Sequence, residues 1–309
     1  MTADPDYELF AQVAELGSVS GAGRALGLSP AMASKRLSRL EARLGVQLVH
    51  RTTRRLALTP AGQGFRDDVR TILLAIKEAE SRASGRGQDA AGTLRVSAPT
   101  SFGRMHIAPY VKTFLSTHPR VELELNLSDE FVDLFADQAD LVVRITSDPP
   151  TNVGCSRLGR SRRILCASPA YLREHGEPAS LRDLPAHKVL AAKGQSPWRL
   201  TGLEGPISVD LPSLVKTNSS EVVRELAIAG VGIALRSLWD VSADLVAGRL
   251  VRILDSYEGS ADVGIFAIHP AMAFVPHPVS AFIAFLDGVY RPVAPWDAQA
   301  ENTWLRKPA

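Results

Sequence analysis

The sequence predicts a three-part α/β protein: an N-terminal winged helix-turn-helix, a long linker helix, and a two-lobed α/β domain. Three observations carry that expectation. A basic amphipathic segment, Ser29 to Gly45, follows two shorter helical stretches and a tight turn. A narrow apolar seam then repeats at heptad spacing through Ala61–Ala83. From Thr93 onward, short apolar strands alternate with helical stretches for about 200 residues.

The Ser29–Gly45 stretch reads SPAMASKRLSRLEARLG. Ser29 supplies a hydroxyl cap, Pro30 suits the first helical position, and Gly45 supplies the stop. At about 100° per residue, Ala33, Leu37, Leu40 and Leu44 share one stripe. Met32, Lys35, Arg36, Arg39 and Arg43 occupy a neighbouring arc that carries no acid of its own. One face suits a core and the other a polyanion, the pattern of a DNA recognition helix. Before it, Tyr7–Leu16 has Leu9, Phe10, Val13 and Leu16 at helical spacing, and Ser18 or Ser20 can cap a second helix ending near Gly27. After it, VQLVHRTTRRLALT has a strand-like Leu56–Leu58 end and a basic tip, the pattern of a small wing near phosphates.

Charge distribution agrees. Ser20–Pro60 holds eight basic residues against Glu41, a local +7, whereas the whole chain is +2, so the remainder sums to −5. One nucleic-acid-binding module on a mildly acidic body fits that asymmetry. Gly21, Gly23 and Gly27 resemble a dinucleotide fingerprint, but a helix precedes them where that motif needs a strand, so tight helix packing is the better reading.

Thr59-Pro60 is a helix start. Phe65, Val69, Ile72, Ile76 and Ala79 form the seam of the helix that follows, and such a lone narrow seam favours pairing with a second copy. SGRGQDAAG (84–92) is a break and a hinge. Expected strands are Leu94–Ala98, Val121–Leu127, Ala139–Ile145, Arg162–Ser168, Lys188–Ala192, Leu214–Ser219, Val231–Arg236 and Val263–Pro270, in mostly parallel sheets. Expected helices are Arg104–Thr117, Phe131–Ala136, Ala170–His175, Glu221–Ala229, Leu238–Ala247 and Val279–Tyr290. The tail 291–309 shows no clear period.

SVSGAGRALGLSPAMASKRLSRLEARLGVQLVHRTTRRLALTPAGQGF resembles, in register and content, the winged helix-turn-helix of the LysR-type transcriptional regulators. The resemblance continues through LRVSAPTSFGRMHIAPYVKTFLSTHPRVELELNLSD, FVDLFADQADLVVRI, LCASPAYLREHG and LAIAGVGIAL, leaving out only the tail. It implies a DNA-binding domain over 1–60, a linker and dimerisation helix with hinge over 61–92, and a periplasmic-binding-protein-like effector domain over 93–290. Lobe I would be 93–160 with 263–290, and lobe II 161–262. The resemblance further implies a homodimer or homotetramer on double-stranded promoter DNA, a small-molecule effector, and RNA polymerase as a partner if the protein activates.

Helix position and resemblance together place Ser29, Ala31, Ser34 and Lys35 on the first turns of the recognition helix, facing base edges. Ser18, Arg51, Thr52, Thr53 and Arg54 should touch DNA backbone, Arg36 either, and Arg39 phosphate. In the effector cleft, ligands lie at the carboxyl ends of strands. The resemblance puts Pro99, Thr100, Ser101, Phe102, Ser128, Arg144, Asn218 and Ser219 there. Hydroxyls and helix N-terminal N–H groups beside an arginine suit a carboxylate or another anion.

No GxSxG, phosphate loop or HExxH occurs, so an enzyme is not expected. The seven histidines show no ligand spacing with the cysteines, and neither a metal nor a cofactor is expected. The alternatives are an α/β small-molecule sensor and a regulator switched through Cys155 and Cys166. The acidic N-terminus, the lack of a membrane-length apolar run and only two cysteines lead to the expectation of a cytoplasmic protein.

Overall fold

The computed structural model describes residues 4–51, 56–83, 90–129, 139–271 and 275–304. The chain divides into two compact units: the first holds the described residues up to 83 together with 275–277, the second those of 90–271 and from 278 onward.

In the first unit, α1 (Pro5–Leu16) begins two residues before the Tyr7 expected from periodicity. The reason is local. Asp4 accepts from the Asp6 backbone N–H at 2.9 Å and Pro5 takes the first helical position. Ser18, rather than Ser20, caps α2 (Val19–Ala25), accepting from Gly21 N–H at 3.1 Å. Ser29 caps α3 (Pro30–Leu44), and Gly45 ends it at φ 71°, the left-handed region glycine enters without cost. A Cβ on Gly23 would stand 2.9 Å from the Cβ of Ala33, so this glycine lets α2 and α3 touch, as the packing reading requires. Antiparallel β1 (Val49–Arg51) and β2 (Leu56–Leu58) form the wing base, with His50 opposite Ala57. The tip, with Thr52, Thr53 and Arg54, lies outside the described residues.

Helix α4 (Pro60–Ala83) starts at Thr59, whose Oγ1 accepts from Gly62 N–H at 2.9 Å and donates to the Gln47 carbonyl at 2.7 Å. Its seam is divided. Val69 is fully buried in the core formed by Leu9, Phe10, Val13, Leu37 and Leu40. Phe65 packs on the rings of Tyr7 and Phe10, at 5.5 and 5.2 Å between centroids. These two seam residues therefore serve their own chain, which corrects their assignment to dimer contacts. Ile72 is 43% exposed, and Ala79 is exposed as well.

The second unit holds two mixed sheets. Strand β3 (Ala91–Ala98) leads into one helical stretch: α5 (Thr100–Phe102), a wide turn at Gly103–Ile107, a tight one at Ala108–Tyr110, and α6 (Val111–Thr117). Then come β4 (Arg120–Leu127), β5 (Leu141–Thr146), β6 (Gly154–Arg160), β7 (Arg163–Ala167) and α7 (Pro169–His175). They are followed by β8 (Val189–Leu190), β9 (Trp198–Gly202), β10 (Gly205–Val209), α8 (Ser220–Ile228), β11 (Ile233–Ser237) and α9 (Leu238–Val246). The chain ends with β12 (Val251–Arg252), β13 (Glu258–Gly259), β14 (Gly264–His269), α10 (His277–Tyr290) and α11 (Pro295–Trp304).

The five-stranded sheet of lobe I runs β4-β3-β5-β14-β6, and the lobe II sheet runs β10-β9-β13-β7-β11-β8, with β12 also on β7. The chain passes between them at Ser161–Arg162 and again before β14, where Ser161 N–H donates to the Val263 carbonyl at 3.0 Å. Lobe II packs around Leu165, Tyr171, Leu184, Trp198, Leu200 and Leu235.

Three expectations change. The sheets are not mostly parallel: among the described residues only the strand pairs β3–β4, β3–β5 and β8–β11 run that way. Returning strand β14 enters lobe I antiparallel, and β9 and β10 form a hairpin. Leu214–Ser219 is not a strand but an irregular run beside β8, where Leu214 N–H donates to the Val189 carbonyl and Lys193 N–H donates to the Thr217 carbonyl, both at 2.8 Å. The tail, given no structure from sequence, forms α11. The helix expected at Phe131–Ala136 falls outside the described residues.

Candidate functional sites in the two units

On α3 the buried stripe is Ala33, Leu37 and Leu40, which turns Ala31, Met32 and Lys35 outward. Ser18 and Ser29 are both caps. Each hydroxyl oxygen is used by its own helix, leaving the hydroxyl proton to donate outward. Lys35 is exposed and Arg36 half-buried, and neither has an acidic partner among the described residues.

The C-terminal half of the basic face differs. Arg39 donates to both carboxylate oxygens of Asp6, at 2.7 to 3.2 Å, and Asp6 is 5% exposed. Arg43 donates to Asp4 at 2.9 Å and lies over the Tyr7 ring at 5.3 Å. Burial pushes the Asp4 carboxyl up, but the Asp6 N–H and Arg43 outweigh it and hold it below the ordinary carboxylate value. Sequence reading missed these partners because they lie on α1, more than thirty positions away. It also missed Glu41, whose Oε1 accepts from the N–H groups of Leu48 and Val49 at 2.9 and 3.2 Å, tying α3 to the start of the wing.

In the second unit, parallel register brings the ends of β3, β4 and β5 to one edge. Ser128 N–H donates to the Ala98 carbonyl at 3.0 Å, and Thr100 N–H donates to Asp129 Oδ1 at 2.8 Å. Ser97 pairs with Val142, which puts Arg144 level with Pro99 on this edge. Ser101 is 2% exposed, and its Oγ has no hydrogen-bond partner among the described groups. From lobe II, Ser219 caps α8, and Glu221 in the first turn of that helix pairs with Arg104 of lobe I. The Arg104–Glu221 pair thus brings the cap of α8, Ser219, to the same interlobe region as the β3–β5 edge that carries Thr100, Ser128 and Arg144. Phe102 does not line it. It is fully buried among aromatic rings, which corrects its assignment to the ligand.

Lobe II adds a polar cluster that sequence reading did not anticipate. Arg236 Nε donates to Asp240 Oδ2 at 2.8 Å, and another guanidinium nitrogen donates to Ser220 Oγ at 3.0 Å. Gln195 Nε2 donates to the same Ser220 oxygen at 2.8 Å. Burial pushes the Asp240 carboxyl up, opposed by the adjacent Arg236 guanidinium. Burial and the like charge of Arg236 lower neighbouring Arg163 to about 10. A separate cavity of about 280 Å³ lies where the lobes join, lined by Arg160, Ser161, Arg162, Thr201, Glu258 and Ser260. None of the expected ligand residues borders it.

The cysteine-switch alternative loses its chemistry. Cys166 is fully buried in β7, with burial pushing its thiol up to about 12, while exposed Cys155 lies in the other lobe's sheet with its thiol also raised by burial. A disulfide switch needs accessible thiolate character.

A helix-turn-helix with a wing, followed by a long helix and a two-lobed α/β unit with polar groups between its lobes, defines the class of DNA-binding, ligand-responsive regulators. Comparison with known proteins is specific. Residues 5–63 match the family "Bacterial regulatory helix-turn-helix protein, lysR family", and residues 87–291 match the "LysR substrate binding domain". The chain belongs to the LysR family of transcriptional regulators. It is 36% identical over 262 residues to the HTH-type transcriptional regulator DmlR of Escherichia coli K12, covering 84% of this chain and 85% of that one. It is 33% identical over 262 residues to the HTH-type transcriptional activator TtdR of the same strain, covering 84% of each. Among solved structures, the full-length virulence activator AphB of Vibrio cholerae matches with TM-score 0.59 and 26% identity over 93% of this chain and 99% of that one. Full-length LysG of Corynebacterium glutamicum, described with bound effector Arg, matches in fold with TM-score 0.66 at 20% identity, covering 95% of this chain and all of that one. No helix among the described residues is long and apolar enough to cross a membrane.

Proposed function

We propose that this regulator reads promoter DNA through the first turns of α3 and answers to a small anionic effector held between the lobes of its second unit. The observation that carries the DNA half is the contrast along one helix. Lys35 and Arg36 have no acidic partner among the described residues, whereas Arg39 and Arg43 are neutralised by Asp6 and Asp4. The polyanion-facing charge is therefore concentrated at the N-terminal half, with Ser29, Ala31 and Ser34 beside it. Arg39 supports the helix from α1 and adds less to phosphate binding than its charge alone suggests. Ser18 and the wing residues Arg51, Thr52, Thr53 and Arg54 supply backbone contacts in this reading.

For the effector, support comes from Ser101, a buried hydroxyl without a partner at the end of β3, with Thr100 and Arg144 on the same edge. Such donors favour a carboxylate. The exposed Ile72 and Ala79 of α4, with Ile76 on the same seam, support a homo-oligomer, and RNA polymerase is a partner where the protein activates.

The test is fluorescence anisotropy of the full chain on DNA from upstream of its own gene, with unrelated DNA as control, at two salt concentrations. Tight binding above the control with a steep salt slope is expected. Lys35→Ala should weaken it by roughly 10-fold or more, as for loss of about 1–3 kcal/mol at a base-reading position. Unchanged binding by Lys35→Ala would contradict the assignment of the first turns.

A further inference from the structure

The matched effector-domain region stops at residue 291, yet the chain continues into α11, and that helix touches both lobes. Trp296 is 1% exposed. Its ring meets three lobe I rings: His106 at 4.6 Å, Tyr290 at 5.1 Å and Phe102 at 5.9 Å between centroids. One turn further on, Gln299 Oε1 accepts from the Ser242 hydroxyl of α9 in lobe II at 3.1 Å. The cluster beneath also crosses between lobes. Phe102 packs edge-on against Trp239 of α9 at 5.3 Å. His106 Nε2 lies 2.7 Å from the Trp239 carbonyl, and since a carbonyl only accepts, Nε2 carries the proton. Trp239 Nε1–H in turn donates to Ser161 Oγ at the crossing between lobes, at 3.1 Å.

We propose that α11 is an interlobe strap, with Trp296 a positioning residue that fixes the spacing of the two lobes and so the width of the effector cleft. The geometry gives the route. Phe102, held by Trp239 and Trp296, directly follows Thr100 and Ser101, so the ring cluster sets where those hydroxyls stand relative to lobe II. Two residues beyond Phe102, the Arg104–Glu221 pair joins the lobes independently of α11. With two attachments already made, the unliganded domain holds one interlobe spacing, and an effector acts by local rearrangement rather than by wide closure. The inference rests on the interlobe region being the effector cleft, but its test needs no effector.

The test measures spin-label distances in the full chain, with Lys112→Cys in lobe I and Arg173→Cys in lobe II on a Cys155→Ser background. Both label sites are exposed, and dilution with unlabelled chain removes distances between copies. The parent should give one narrow distance population. Trp296→Ala should lose that narrow population while the circular dichroism stays that of the parent, and Trp296→Phe should restore it. Should Trp296→Ala fail to fold, Gln299→Ala with Ser242→Ala removes the hydrogen bond from α11 to lobe II and should also broaden the distribution. An unchanged distribution in the folded variants would overturn the strap. Failure of the effector assignment would appear instead as a normal distribution of lobe spacing with no anion response in the DNA-binding assay, so the two failures are separable.

Discussion

His106 shows how one buried residue couples chemistry to stability. Burial lowers its pKa below the ordinary value of 6.5, only partly offset by its hydrogen bond to the Trp239 carbonyl. The folded state therefore resists the second proton, which the unfolded chain accepts readily below about pH 6.5. With a depressed histidine, the neutral form's stability is full above the unfolded value. It is lost as pH falls through 6.5 toward the folded pKa. Thermal unfolding of the second unit, which holds all four tryptophans and is followed by their fluorescence, should shift to lower temperature between pH 7.5 and 5.5. His106→Asn should flatten that part of the profile, and an equally steep profile in the variant would assign the pH dependence to other groups. Among charged residues, Asp6 and Arg39 carry a comparable lesson: the arginine looks like a free DNA contact in sequence and is held by a carboxylate in the fold.

Within single elements, glycines two positions apart have opposite roles. Gly62 and Gly64 both lie in the first turns of α4. A Cβ on Gly62 would stand 2.0 Å from the Leu48 carbonyl oxygen, a backbone atom that cannot swing aside, while a Cβ on Gly64 meets nothing within 4 Å. Gly62→Ala should destabilise the first unit by about 1–3 kcal/mol or more, by overpacking. Gly64→Ala should stabilise it by about 0.5–1 kcal/mol, by removing unfolded-chain freedom from an exposed helical site. Denaturant midpoints of the two variants should move in opposite directions. Helix α4 also shows the limit of periodic patterns. Its heptad seam is continuous in sequence, but its first part belongs to the domain core, and from there on Ile72 and Ala79 are exposed while Ile76 is half-buried.

For the whole molecule, that later part of the seam bears on assembly. Ile72→Glu with Ile76→Glu should shift sedimentation of the full chain toward a smaller species while leaving the far-ultraviolet circular dichroism unchanged, since the buried core residues Phe10, Leu37 and Val69 are untouched. An unchanged sedimentation coefficient would place the oligomer contacts elsewhere. The same scale governs the second unit, where the pairing of lobes is fixed by chain segments far apart in sequence: Ser161 meets Val263, Phe102 meets Trp239, and α11 closes on both.

The sequence by itself determined the helices of the first unit, the caps of α3 and α4, the buried stripe of α3 and most strands of the second unit. These are local features: a hydroxyl before proline, a glycine after the last periodic residue, and an apolar run bounded by turn residues act within one or two turns of chain. Family membership was legible for the same reason, because the motif from Ser18 to Phe65 is contiguous. Only the tertiary structure decided which arginines of α3 meet an acid among the described residues, which seam residues stay exposed, that Phe102 belongs to a core, and that the aperiodic tail forms a helix touching both lobes. It also decided strand direction, since β14 reads like any other strand until its partner β5 is known. In each case the deciding partner lies tens of residues or more away, beyond the reach of any local pattern, and is selected by burial and charge pairing in the assembled fold.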